Sequence, residues 1–184
     1  PALALGMEKP EPGVMAVDPR DPSEPLLNKN MKIMIGIQST VLTFSVLGAY
    51  YYGLSLNNIS MEQYILMGGE KAAEMLEMPR TYAFATMITA ELLRAFTTRS
   101  EMYSVFRIGL FSNKFMNIGV GFSFFLLLMA LYGPLHVIFK TFEPTLHDWL
   151  IIGGFGILPF IGGEIGKFFI DVTGAKVHHE TPDA

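Results

Sequence analysis

The sequence predicts an all-α fold, specifically a polytopic membrane helical bundle with four transmembrane helices. Three observations lead there. Charged residues make up 16% of the 184 residues, against about 25% in an ordinary soluble domain. Hydrophobic residues reach 51% and mean hydropathy is +0.38. Apolar stretches near the length a bilayer core demands, roughly 20 residues of helix, recur along the chain. An all-α soluble core is the competing reading, and it has no need of uncharged runs this long.

The first span, 33–54, reads IMIGIQSTVLTFSVLGAYYYGL. It carries no charge, and Tyr50, Tyr51 and Tyr52 sit near one end, where an aromatic belt forms. The second, 81–98, reads TYAFATMITAELLRAFTT and follows the helix-boundary residue Pro79. It qualifies only if Glu91 and Arg94 are tolerated. The third, 115–133, is the uncharged FMNIGVGFSFFLLLMALYG, followed by Pro134. The fourth, 149–171, contains Pro159 and several glycines, which membrane helices accommodate better than soluble ones. A kink is expected near Pro159.

The connections set the orientation. Segment 1–32 is a proline-rich loop with Pro10, Pro12, Pro19, Pro22 and Pro25, a composition that excludes helix and favours extended chain. It carries Lys9, Arg20, Lys29 and Lys32, and the 99–114 loop carries Arg99, Arg107 and Lys114. The 55–80 loop holds only Lys71 and Arg80 among Glu62, Glu70, Glu74 and Glu77, and the 134–148 loop only Lys140. The positive-inside rule therefore makes 55–80 and 134–148 external and puts both termini, including the 172–184 tail, in the cytoplasm. No internal repeat is evident.

Several classes are excluded. Cysteine is absent, so there is neither a disulfide framework nor a thiolate metal site. A net charge of −4 points to no nucleic-acid partner. The opening PALALGMEKPEPG has no basic n-region and no sustained apolar core, so it is not a secretory signal. Starting at Pro1 and not at methionine, the chain reads as a piece of something larger.

The residues that carry chemistry lie in the second span. An ionised side chain at mid-bilayer costs about 2.5 to 3.5 kcal/mol on insertion scales and faces a bundle interior or a polar pathway. Glu91 is thus a functional-site candidate on the residues alone. Arg94, at i+3, lies on nearly the same face. Two arrangements stay open: an ion pair that neutralises Glu91, or Arg94 snorkelling to the interface and freeing it. Glu164 and Lys167 repeat the spacing near the cytoplasmic end of the fourth span and read as an anchoring pair. Asn117, Gln38 and Ser39 supply oxygens for a polar seam or bond across packed helices. His136, His147, His178 and His179 lack zinc-ligand spacing, and the twelve methionines read as gap-fillers.

The stretch LALGMEKPEPGVM followed by PRDPSEPLL resembles the cytoplasmic loop between the sixth and seventh transmembrane helices of P-type calcium-transporting ATPases. TYAFATMITAELLRAFTTRSE is similar to the eighth helix of that family and its exit, with Glu91 and Glu101 at the spacing of the pattern. FSNKFMNIGVGFSF is similar to the start of the ninth helix and LHDWLIIGGFGILPFIGGEIGKFF to the tenth. The resemblance covers residues 1–172 and implies spans seven to ten of a ten-helix pump, beginning just after the cation-binding aspartate of the sixth helix.

By that resemblance Glu91 stands where the eighth-helix glutamate lends an oxygen to one of two calcium sites, the other ligands coming from helices four, five and six. Muscle-type pumps have an uncharged residue at the position of Arg94, so an ion pair here implies one calcium per cycle, as in some bacterial and secretory-pathway relatives. The transported ion would be Ca²⁺. The phosphorylation motif D-K-T-G-T and the dephosphorylation motif T-G-E are absent, so ATP and Mg²⁺ would enter only through other domains of the parent and this stretch alone would be inactive. Expected partners are spans one to six, the cytoplasmic domains and the bilayer, in the cell membrane. The alternatives are a sodium or other monovalent-cation P-type ATPase and a stand-alone four-span structural membrane protein.

Overall fold

The computed structural model describes residues 1–10, 25, 27, 29–56, 61–66, 69–100 and 103–173. Most of the proline-rich stretch, with Pro12, Pro19 and Pro22, lies outside the described residues, as do Glu101 and the tail bearing His178 and His179.

The described chain is helical, without a strand among the described residues. A 3-10 turn, Leu3–Met7, precedes α1 (Lys29–Leu56), α2 (Met61–Leu66), α3 (Gly69–Met75), α4 (Glu77–Thr97), α5 (Val105–Ile108), α6 (Lys114–Leu131), α7 (His136–Phe139), α8 (Leu146–Gly156) and α9 (Leu158–Thr173). Three stretches are long and apolar enough to cross a membrane: Lys29–Leu56, Lys114–Leu131 and Leu146–Phe169. At 1.5 Å per residue α1 is about 42 Å long, more than a bilayer core of roughly 30 Å. It therefore outruns the apolar stretch 33–54 at both ends.

α4 is the exception. Its 21 residues suffice in length, but Arg80, Glu91 and Arg94 keep it from qualifying on composition. Packing explains how it is accommodated, because α4 lies against α1, α6, α8 and α9 and presents comparatively little surface to the surroundings. It begins at Glu77, two residues before Pro79. A proline in the first helical turn has no intrahelical hydrogen bond to lose.

The buried face of α1 is small or polar, comprising Gln38, Ser45, Ala49 and Gly53. Its bulky residues Ile33, Ile35, Phe44, Leu47 and Tyr51 point outward. α6 likewise exposes Phe115, Ile118, Phe122 and Phe125. Putting bulk outside and small residues at the contacts is how helices pack when the solvent is lipid, since apolar side chains gain nothing by leaving it and close backbone approach supplies the attraction. Gly53 illustrates this: a Cβ there would stand 2.8 Å from the Cα of Pro79. The core between these helices consists of Ala49, Tyr82, Ala85, Leu127, Leu131 and Ile152.

The expected kink near Pro159 is a break. α8 ends at Gly156 and α9 starts at Leu158. Pro159 has no N–H to offer the carbonyl of Phe155 four residues earlier, and that carbonyl accepts instead from the hydroxyl of Ser45 on α1. In a bilayer no water would take the role, so the partner must be protein.

Candidate functional site: the charged face of α4 and the end of the bundle beside it

α4 carries Glu91 on its second half and Arg94 in its last turn, where a cation complements the negative end of the helix dipole. Arg94 donates from Nη2 at 2.7 Å and from Nε at 3.1 Å to the same Glu91 oxygen, Oε2. The other oxygen, Oε1, has no partner among the described residues. Side-chain exposure is 33% for Arg94 and 37% for Glu91. The pair therefore touches nothing but itself through polar contacts on the Glu91 side, and it retains one acceptor oxygen on a part-open helix face.

Among the described residues no three His, Asp or Glu side chains converge as a metal-holding group. Glu91 is thus a single carboxylate donor, and a hard cation held there needs further oxygens from elsewhere.

The second i, i+3 pair is built differently. Glu164 Oε1 accepts from Lys167 Nζ at 3.1 Å. Oε2 accepts from the Ser104 hydroxyl at 2.5 Å and the Val105 amide at 3.2 Å. Lys167 also donates to the Tyr103 carbonyl at 3.1 Å. These bonds fasten α9 to the connection leading into α5, so the pair anchors α9 to protein.

Sequence reasoning did not single out Glu8 or its tie to Arg99. The guanidinium, with 0% side-chain exposure, donates to Glu8 Oε1 at 2.6 Å and Oε2 at 2.9 Å. It also reaches the carbonyls of Gly109 and Leu110 and the Ser112 hydroxyl. Asn113 completes the knot, its amide donating at 2.7 Å to Glu8 Oε2 and at 3.1 Å to the Ala4 carbonyl. These hydrogen bonds, with Arg99 the leading cause, hold the Glu8 carboxyl below its ordinary pKa of 4.5 against the opposing effect of burial. The knot joins the amino-terminal turn to the α4–α6 connection. The only available signal was an arginine in a basic loop, which fits topology as well as structure.

The other expected polar residues divide. Gln38 is buried, Ser39 is exposed with its carbonyl accepting from Thr43, and Asn117 donates to the Phe111 carbonyl at 3.0 Å. His136 lies beside Glu74, Glu77 and Arg80 in a cleft of about 430 Å³ at the opposite end. At that end Tyr82 donates to Asp148, and Asp148 forms a capping box with Thr145 that starts α8.

Residues 1–169 match the family model described as cation transporting ATPase, C-terminus. A calcium-transporting ATPase of Bacillus subtilis is 32% identical over 168 residues, covering 86% of this chain and 16% of the relative. One from Listeria monocytogenes is 30% identical over 169 residues, 91% of this chain and 17% of its own length. The mouse calcium-transporting ATPase type 2C member 1 is 28% identical over 170 residues, with 91% and 17% covered. The chain therefore spans about one sixth of the length of these relatives.

Proposed function

The chain belongs to the cation-transporting ATPase C-terminus family, and from that premise we propose that it forms the closing membrane segment of an ATP-driven calcium pump. In this reading α4 is a fourth span beside the three that qualify on length and composition. Both termini lie in the cytoplasm of a cell-membrane protein. ATP and Mg²⁺ act through domains elsewhere in the pump, and the earlier spans cover the open side of α4.

The bundle is mainly scaffold, with Glu91 as its direct contribution to transport. The observation that carries this is the isolation of the Glu91–Arg94 pair. A carboxylate with no bonds to the framework and one unclaimed oxygen can accept a passing cation without dismantling anything. Arg94 supplies a fixed positive charge where a second cation would otherwise sit. The pump then moves one calcium per cycle, because the guanidinium holds Oε2 and stands in the place of a second ion, leaving Glu91 only Oε1 to offer.

The test is calcium-dependent ATPase activity of the full-length protein over a calcium titration, with Glu91→Gln and Arg94→Asn beside wild type. A clear loss of calcium affinity in Glu91→Gln is expected. Arg94→Asn is expected to change affinity or the number of calcium ions carried per ATP. Unchanged curves for both variants would reduce the pair to a structural element.

A further inference from the structure

A cleft of about 210 Å³ opens between the first turns of α1, the end of α4 and the second half of α9. Its lining includes Met34, Ile35, Gln38, Arg94, Thr97 and Lys167. Both cations of the two ion pairs contribute to the lining, whereas Glu91 and Glu164 do not. The amino-terminal turn of α1 lies at the same place through Asn30, bringing the positive end of a 28-residue helix dipole. The described part of α1 contains Lys29 and Lys32 and no acidic residue.

Gln38 is the residue that asks for a ligand. The residue is only 6% exposed, lines the cleft, and presents its amide to that opening. A polar group facing a cleft is free to bond whatever occupies it, and the fold makes room for this one. A Cβ on Gly163 would lie 2.8 Å from Gln38 Nε2 and 3.4 Å from Thr97 Oγ1, so glycine is what lets the amide sit there.

The opposite wall is apolar. Met34 and Ile35 belong to a helix apolar enough to span a bilayer, and Ile33, Ile35 and Ile37 are exposed along it. Positive lining, an amide that faces the cleft and an adjoining apolar surface together describe one ligand class. We infer that the cleft binds the headgroup of a single anionic phospholipid, its phosphate facing Arg94, Lys167 and Gln38 and its acyl chains following the outer face of α1. Basic pockets between membrane helices take anionic headgroups by this combination of charge and hydrogen bonding. A free phosphate would use the polar end but leave the apolar wall unused, so the lipid is the occupant the surface favours.

The experiment is native mass spectrometry of the full-length protein with phosphatidylglycerol or phosphatidylcholine of identical chains. Wild type is expected to retain one phosphatidylglycerol, preferred by roughly tenfold over phosphatidylcholine. Gln38→Leu removes the amide, and Ile35→Trp crowds the cleft from its apolar side. Both are expected to lose that retained lipid. Equal retention of the two lipids by wild type would overturn the inference, as would phosphatidylglycerol retention unchanged in both variants. Displacement of the lipid by millimolar inorganic phosphate would overturn it in favour of a soluble anion. The readout needs neither calcium nor ATP, so it stands or falls apart from the proposed role of Glu91.

Discussion

Glu91–Arg94 on α4 and Glu164–Lys167 on α9 are the same arrangement in sequence, a glutamate with a cation three residues on inside an apolar helix. Their surroundings differ. The α9 pair is buried, with side-chain exposures of 4% and 14%, and its carboxylate accepts from Ser104 and the Val105 amide as well as from Lys167. The α4 pair is about one-third exposed, and its carboxylate accepts only from Arg94. A carboxylate bonded to several parts of the framework cannot change partner without loosening the fold. One bonded only to its own helix can. Spacing thus creates the ion pair, and the neighbours decide whether it anchors or exchanges.

The sharpest way to break the comparison is Glu164→Ala. It leaves the Lys167 ammonium buried without its carboxylate and two loop donors without their acceptor, and a loss of about 3 to 5 kcal/mol is expected. Unfolding in mixed micelles, followed by fluorescence of the single tryptophan, Trp149, would show it. A loss no greater than that of Glu91→Gln would erase the distinction drawn between the pairs.

Ser45→Ala tests whether framework bonds matter at a neutral contact too. The variant removes the side-chain donor to the Phe155 carbonyl released by Pro159, and about 1 kcal/mol is expected by analogy with other interhelical hydrogen bonds. The same titration in Pro159→Ala should show a reduced effect of Ser45→Ala, because α8 and α9 could then satisfy that carbonyl internally. Additive losses would argue against this account.

A smaller effect is expected from acid acting on the Glu8–Arg99 knot, the other anchored pair. Folding lowers the Glu8 pKa below its ordinary 4.5, so its stabilisation is complete above that pH and disappears as pH falls through the lower folded value. The stability gap between wild type and Glu8→Gln should be constant from pH 7 to 5 and shrink below about 4.5. A gap independent of pH would mean that Arg99 does not depend on the charge of Glu8.

The least effect on stability is expected for Glu91→Gln, about 0.2 to 1 kcal/mol at most, given its exposure. Stability almost unchanged alongside impaired calcium dependence in the full-length protein would sharpen the contrast most, separating an exchangeable carboxylate from an anchored one.

What could be read from residue order was whatever depends on one helix at a time. Long uncharged runs located α1, α6 and the Leu146–Phe169 stretch, and Glu91 stood out because a carboxylate in an apolar run is expensive. The run through α4 needed more, since its charges leave it short of a spanning composition until its neighbours are known. Pro159 announced a distortion near the fourth span, but nothing in the local sequence said that Ser45, 110 residues away, would accept the consequence. Glu8 gave no sign of its role for the same reason: Arg99 lies 91 residues on.

The sequence by itself determined the helical membrane character of this protein, the positions of its apolar runs and the placing of Glu91 and Arg94 on one helix face. All of these follow from transfer free energy and from the 3.6-residue turn. Only the tertiary structure decided that α4 sits among the other helices, that Glu164 is bolted to a loop while Glu91 is not, and that Gln38 opens into a cationic cleft. Those outcomes depend on which side chains meet across helices distant in sequence, and spacing along one helix carries no information about them.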